Sequence, residues 1–234
     1  DRINRNDVTD VRGMVRHIAP FAVWLLLMAL PWPRAEWRYT LQTAAGIAAF
    51  LACRPWRYYP SINRRAIPLA IVAGLGVLAI WIWPEAYLRD ATGGLAELYL
   101  RFGVRPWGVF PKPGGTGTWA AAGLLFMGIR LVGSAFVIAI IEEYFWRGLV
   151  LRALAARDYR QAALIPIPWL ALVISACFFG MEHGRWAAGI VTGLIYGLVY
   201  LRTRDIWATV IAHVTTNLGL GIYVLATGDL VFWQ

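Results

Sequence analysis

Polar residues that could carry out hydrolysis lie within or at the ends of the apolar segments of this sequence. They are Glu142, Glu143, Arg147, His183, His213 and Asn217. A carboxylate or an imidazole can accept a proton from water, whereas an imidazole or a carboxamide can donate a hydrogen bond to a developing negative charge. A charge at the centre of a bilayer costs about 2.5 to 3.5 kcal/mol, so such residues face a protein interior, a water-filled cavity or a partner. These residue types therefore indicate a functional site inside a membrane protein.

The spacing of these residues predicts which of them share a helical face. Glu143 and Arg147 are four residues apart, so they can form an ion pair within one helix. Glu142 lies about 100° around the helix from Glu143 and can face a different neighbour. His213 and Asn217 are also four apart, so one helical face presents an imidazole and a carboxamide.

Whether Glu142 and His183 can meet depends on the helix boundaries between them. If one helix ends near Asp158 and the next begins at Pro168, each residue lies about 15 residues, or about 22 Å, from the connection. Antiparallel neighbours would then place the two side chains at a similar depth. A helix that begins at Ala162 would separate them more.

The composition predicts an all-α fold, a polytopic transmembrane helical bundle of about seven to eight spans. Of the 234 residues, 59% are hydrophobic, and the mean hydropathy is +0.57, more apolar surface than a soluble domain of this length needs. The predicted apolar helices are 17–32, 39–53, 66–83, 119–156, 167–183, 186–201 and 205–226. The fourth is too long for one straight span, because the hydrocarbon core is only about 30 Å thick, and Gly133 could interrupt it.

The whole chain, 1–234, is interpreted as one integral membrane domain. Residues 84–118 contain proline, glycine and charges, and they predict a long loop that could include an amphipathic surface helix. The net charge of +9 does not indicate nucleic acid, since the arginines lie in short loops between apolar segments. Their distribution predicts a cytoplasmic N-terminus. Cys53 and Cys177 lie in apolar segments and are interpreted as packing residues.

Three motifs, "EEYFWR", "FGMEH" and "HVTTN", resemble the EExxxR, FxxxH and HxxxN motifs of one family. This is the CPBP family of intramembrane proteases, which includes the type II CAAX prenyl endopeptidases and the bacteriocin-processing (Abi) group. The resemblance covers residues 119–226, which it marks as the motif-bearing catalytic core. The segment "RPWRYYP" and the chain length are similar to CAAX-protease-related proteins that accompany bacterial exosortase sorting systems.

The resemblance implies a protease that uses no metal or other cofactor. It assigns Glu142 as the general base and His183 as the residue that holds and polarises the attacking water. His213 and Asn217 would form the oxyanion hole, and Glu143, paired with Arg147, would support Glu142 or share in catalysis. The implied partners are a membrane-associated protein or peptide as substrate, the lipid bilayer, and proteins of a sorting system. The implied location is the bacterial inner membrane.

Other readings of the same residues stay open. Glutamate and histidine can bind zinc, although the sequence lacks HExxH, so a zinc peptidase is one alternative. An immunity protein, transporter or assembly scaffold is another. His183 could simply bond a carbonyl at a helix end, and His213 with Asn217 could join helices. Arg130 is expected to pair with a carboxylate or reach an interface, Glu182 to be a charge at a cavity mouth or at the membrane interface, and His17 to be solvated.

Overall fold

The structure, a computed structural model, describes residues 10–88, 93–104, 118–163 and 165–233. Within these residues it is helical and contains no strand, which confirms the all-α prediction. The helices are α1 (Val11–Ala29), α2 (Ala35–Cys53), α3 (Ile67–Tyr87), α4 (Gly94–Phe102), α5 (Gly123–Ala155), α6 (Trp169–Met181), α7 (Trp186–Thr203) and α8 (Ile206–Thr227). Each apolar segment predicted from the sequence corresponds to one of these helices.

Five of the described helices are long and apolar enough to cross a membrane: α1, α3, α5, α7 and α8. The chain is therefore a multi-pass membrane protein. Helix α6 is apolar but has 13 residues, which at about 1.5 Å per residue is shorter than the hydrocarbon core. Helix α2 has 19 residues and is less apolar. The total of seven to eight spans stays a prediction.

Helix α5 is irregular at the points where it passes the candidate site. A preceding helical turn from Thr118 joins it across a kink at Gly123, whose φ is +81°. Two π-helical segments, Gly133–Ile138 and Trp146–Val150, flank the α-helical stretch that holds Glu142 and Glu143. Such π-turns are frequent at functional sites. The helix therefore does not end at Gly133, as the sequence suggested it could, but changes its winding there.

Glycines allow the closest helix contacts in the bundle. Helices α6 and α7 pack tightly along their length, as do α1 with α2 and α3 with α8. A Cβ atom on Gly193 of α7 would lie 2.8 Å from the Cα of Ala176 in α6. Backbone at that distance cannot rotate away, so only glycine fits at this position.

Replacing Gly193 with alanine should lower the stability of the bundle by about 1 to 3 kcal/mol, because the new methyl group would push α6 away from α7. Thermal unfolding of the purified protein in detergent measures this change. Gly76→Ala is the matched control, since nothing lies within 4 Å of a Cβ atom at Gly76. Equal melting temperatures for the two variants would contradict the packing argument.

Two further sequence expectations concern the ends of the helices. The segment 84–118 includes the end of α3 and the short helix α4, which exposes Leu95 and Leu98 and buries Ala96. The remaining parts of that segment, 89–92 and 105–117, lie outside the described residues.

The expectation that His17 is solvated is wrong, because α1 begins six residues before it and His17 is only 1% exposed. Its ring bonds the Gly13 carbonyl (2.7 Å) and contacts the Tyr59 hydroxyl (2.9 Å).

Candidate functional site

One cavity of about 270 Å³ brings together four of the predicted site residues, Glu142, His183, His213 and Asn217. Helix α5 contributes every fourth residue to its wall: Arg130, Ser134, Ile138 and Glu142. Helix α8 contributes His213, Thr216, Asn217, Leu220 and Gly221, and the turn between α6 and α7 contributes residues 182–185. Helix α6 begins at Trp169 with Pro168 before it, which matches the helix register that the sequence argument required.

Glu142 faces this cavity from α5. Its side chain is 13% exposed, and its Oε2 atom lies 3.7 Å from Nε2 of His213. This distance is too long for a hydrogen bond. The carboxylate and the imidazole therefore both present polar atoms to the cavity without bonding each other directly.

The predicted ion pair between Glu143 and Arg147 forms beneath the cavity and is buried. The Arg147 guanidinium donates to Oε1 of Glu143 at 3.0 Å and to the Gly193 carbonyl oxygen at 3.1 Å. It also lies over the ring of Phe179, 4.5 Å from the centroid. Glu143 is 0% and Arg147 is 2% exposed. Arg147 thus ties α5 to both α6 and α7 at the closed end of the cavity.

Glu143 also bonds His213, a contact that the sequence did not predict. Nδ1 of His213 lies 2.8 Å from Oε1 of Glu143. A carboxylate only accepts hydrogen bonds, so Nδ1 carries the hydrogen and Nε2 is the nitrogen that points toward Glu142. The centroid of the Tyr196 ring lies 5.0 Å from that of the His213 ring. The Tyr196 hydroxyl donates a hydrogen bond to the Thr216 hydroxyl oxygen at 2.6 Å. The imidazole is therefore fixed in orientation and tautomer.

His183 follows the end of α6 and is held by its own motif. Its Nδ1 atom bonds the carbonyl oxygen of Phe179 at 2.9 Å, so Nδ1 carries the hydrogen, and Nε2 is an acceptor in the neutral ring. The ring packs against Phe179 and Trp81, with centroids 4.9 and 5.4 Å away. The hydrogen bond to a helix-end carbonyl, which was the structural alternative for His183, is therefore present. His183 also lines the cavity.

Asn217 joins α8 to the first π-helical segment of α5. Its Nδ2 atom donates to the carbonyl oxygen of Ser134 at 2.8 Å. The carboxamide nitrogen carries two N–H donors. The bond to Ser134 uses one of them and fixes the plane of the carboxamide, and with it the direction of the second N–H. The role of Asn217 in joining helices is thus compatible with a second role toward the cavity.

The cavity opens beside the turn between α6 and α7. Glu182 lies there, as expected for a residue at a cavity mouth, and accepts a hydrogen bond from Nε1 of Trp146 at 3.0 Å. Arg130, on another wall, lies 4.0 Å from the centroid of the Tyr39 ring and donates to the Trp233 carbonyl oxygen at 3.3 Å. Charged groups thus line the cavity outside the motifs as well.

Several residues of the cavity wall are not among the predicted site residues: Trp81, Ser134, Thr192, Tyr196 and Thr216. Trp81 donates to Thr192 at 2.8 Å, which fixes α3 against α7 beside His183. Thr192 and Tyr196 are four residues apart in an apolar helix, the same signal that identified His213 and Asn217. Within the described part of the chain, no group of three or more His, Cys, Asp or Glu residues could hold a metal ion.

Comparison with known proteins identifies one family. The family described as type II CAAX prenyl endopeptidase Rce1-like matches residues 117–219, a segment that includes every predicted site residue. No curated protein and no solved structure matched the chain.

Proposed function

Since residues 117–219 belong to the type II CAAX prenyl endopeptidase Rce1-like family, we propose that this cavity is the active site of an intramembrane endopeptidase. The family is one of membrane proteases, which supports peptide hydrolysis as the reaction class. The observation that carries the proposal is that Glu142, His183, His213 and Asn217, from three separate elements, line one cavity. The proposed setting is a bacterial inner membrane, the proposed substrates are membrane-associated proteins or peptides, and proteins of a sorting system are proposed as partners.

In the proposed reaction, Glu142 is the general base. Its carboxylate takes a proton from a water molecule, whose oxygen attacks the carbonyl carbon of the scissile peptide bond. The carboxylic acid formed in this way then gives the proton to the departing nitrogen as the C–N bond breaks. The products are a new carboxyl group and a new amine, and Glu142 returns to its starting state without a covalent intermediate.

His183 is proposed to orient the attacking water. The hydrogen on Nδ1 is used by the Phe179 carbonyl, so Nε2 of the neutral ring can accept the second hydrogen of the water. This contact would direct a lone pair of the water oxygen toward the substrate. His183 is thus a positioning partner for the water that Glu142 deprotonates.

His213 and Asn217 are proposed to stabilise the oxyanion of the tetrahedral intermediate. His213 can donate through Nε2 only when both ring nitrogens carry hydrogen, because Nδ1 already donates to Glu143. Oε1 of Glu143 accepts the Nδ1 hydrogen bond in either form of the ring and keeps Nε2 directed toward the cavity. Asn217 supplies the second donor through the N–H that does not bond Ser134.

Removing the Asn217 carboxamide tests the oxyanion assignment. Asn217→Ala should lower kcat about 10²- to 10³-fold, because one preorganised donor is lost in the transition state. Thr227→Ala is the control, since Thr227 is exposed at the end of the same helix and its hydroxyl bonds the Tyr223 carbonyl and the Asp229 backbone N–H, outside the cavity. Steady-state rates of peptide cleavage provide the measurement, and equal rates for the two variants would refute the assignment.

The zinc peptidase alternative predicts a different response to metal removal. The general-base proposal predicts that protein treated with a strong chelator and then dialysed cleaves peptide at the untreated rate. Metal analysis of the same sample shows whether removal was complete. Activity that disappears with the metal and returns when zinc is added would favour the zinc peptidase.

The proposed activity is tested by comparing membrane proteins from cells that carry the wild type and cells that carry Glu142→Gln. At least one membrane-associated protein should accumulate in its uncleaved form in the variant cells. A non-enzymatic scaffold or immunity protein predicts that the two membrane proteomes and phenotypes are the same.

A further inference from the structure

The two ends of the helical bundle differ in charge. Three connections, α2–α3, α5–α6 and α7–α8, lie at one end, which we term the arginine-rich end. Together with the flanking helix ends they carry Arg54, Arg57, Arg64, Arg65, Arg157, Arg160, Arg202 and Arg204. The acidic residues described in this region are few, Asp158 and Asp205. The α1 helix starts at the same end, with Arg12 and Arg16 in its first turns.

The cavity opens at the other end of the bundle, which we term the mouth end. The α6–α7 turn must lie there, because consecutive antiparallel helices place it opposite the α5–α6 and α7–α8 connections. This turn contributes Glu182, Gly184 and Arg185 to the cavity wall, and Glu182 and Gly184 are exposed. Phe232 and Trp233, which follow α8 at this end, also line the cavity.

Toward the arginine-rich end the cavity is closed by buried side chains. Arg147 lies five residues beyond Glu142 toward that end, and Glu143, Arg147 and Tyr196 are each at most 2% exposed. Glu142 lies ten residues before Arg152, so it is about 15 Å from the arginine-rich end. That depth is near the middle of a hydrocarbon core about 30 Å thick. A substrate would therefore enter from the mouth end.

The arginine distribution indicates which end faces the cytoplasm. Lys and Arg in short connections set the orientation of a membrane protein, with the richer side inside. The mouth end carries fewer basic residues. Arg34, Arg38 and Arg185 lie in or next to its short connections, and Arg89, Arg101, Arg105 and Lys112 lie in the connection between α3 and α5. These seven basic residues compare with the ten arginines named for the arginine-rich end, so the arginine-rich end is the side expected to face the cytoplasm.

We infer that the cavity opens to the extracytoplasmic side of the membrane, so that its substrate is a membrane-tethered protein whose scissile bond is presented from that side. This inference rests on the proposed function for the cleavage itself, but the orientation can be tested separately. It excludes cytoplasmic tails as substrates of this site, because Glu143, Arg147 and Tyr196 block the route from the arginine-rich end.

Cysteine labelling tests the orientation. Single cysteines are introduced as Arg157→Cys at the arginine-rich end and Thr227→Cys at the mouth end, in a chain that carries Cys53→Ala and Cys177→Ala. Both positions are exposed. A membrane-impermeant maleimide added to sealed cells should label the cysteine at position 227 and leave the one at 157 unlabelled until the membrane is permeabilised. Labelling of position 157 in sealed cells, or of position 227 only after permeabilisation, would overturn the inference.

A second arm separates this inference from the proposed function. The uncleaved protein that accumulates with Glu142→Gln should lose the segment around its cleavage site when proteinase K is added to intact spheroplasts. Protection of that segment until the spheroplasts are lysed would overturn the inference, although the protein would still be a protease. If no uncleaved protein accumulates, the proposed function fails and the inferred substrate fails with it, whatever the labelling shows.

Discussion

Replacing Glu142 with glutamine is expected to lower the rate of peptide hydrolysis by at least about a hundredfold while the bundle remains folded. Glutamine keeps the size of the side chain but cannot take a proton from water. A positioned general base contributes about 10²- to 10⁴-fold to a rate, so kcat should fall by a factor in this range. Stability should change little, because the Glu142 carboxylate faces the cavity and lies 3.7 Å from His213, beyond hydrogen-bond length. Peptide cleavage and thermal unfolding are measured on the same preparation.

Two matched variants show whether the loss comes from the carboxylate at this position. Glu97→Gln removes a carboxylate from the short helix α4, outside the cavity, and should leave the rate unchanged. Glu142→Asp keeps a carboxylate but shortens the side chain by one methylene group, so this variant should retain part of the activity. If Glu142→Gln cleaves peptide at the wild-type rate, another group is the base.

Replacing Arg147 with methionine is expected to have the largest effect on stability. The guanidinium is 2% exposed and bonds Glu143 and the Gly193 carbonyl. Removing it leaves a fully buried carboxylate without its cation, which costs about 3 to 5 kcal/mol. The double variant Glu143→Gln, Arg147→Met should be more stable than the single variant, because the uncompensated charge is gone. Unfolding in detergent by denaturant or heat measures both variants.

An exposed ion pair provides the comparison for Arg147. Arg160 bonds Asp158 at 2.8 Å, but its side chain is 46% exposed, so Arg160→Met should cost at most about 1 kcal/mol. If Arg147→Met is no less stable than Arg160→Met, the buried pair does not hold the bundle together. If the double variant is less stable than Arg147→Met, uncompensated charge is not the cause of the loss.

The helices and the pair within α5 could be predicted from the sequence because both depend on local rules. Apolar length determines where a chain can span a bilayer, and a spacing of four residues places Glu143 and Arg147 on one helical face. The start of α6 at Trp169 follows from Pro168, which is favourable near a helix N-terminus. These rules need no knowledge of the neighbouring helices.

The contacts between helices could not be predicted in the same way. Membrane helices are apolar on all sides, since lipid is as apolar as the protein interior, so periodicity does not show which face meets which neighbour. The π-helical segment at Gly133–Ile138 also changes the faces of α5 relative to a regular helix. The bonds from Glu143 to His213 and from Asn217 to Ser134 depend on both features. They are therefore visible only in the structure.

The most direct test of the general-base mechanism is a single-turnover cleavage in water enriched in oxygen-18, with enzyme in excess over substrate. Direct attack by a water molecule that Glu142 has deprotonated predicts one oxygen-18 atom in the new carboxyl group of the product and none in the Glu142 side chain. Mass spectrometry of the product and of the peptide that contains Glu142 measures both. An unlabelled product together with oxygen-18 in Glu142 would show that this carboxylate attacks the substrate itself, which would contradict the account.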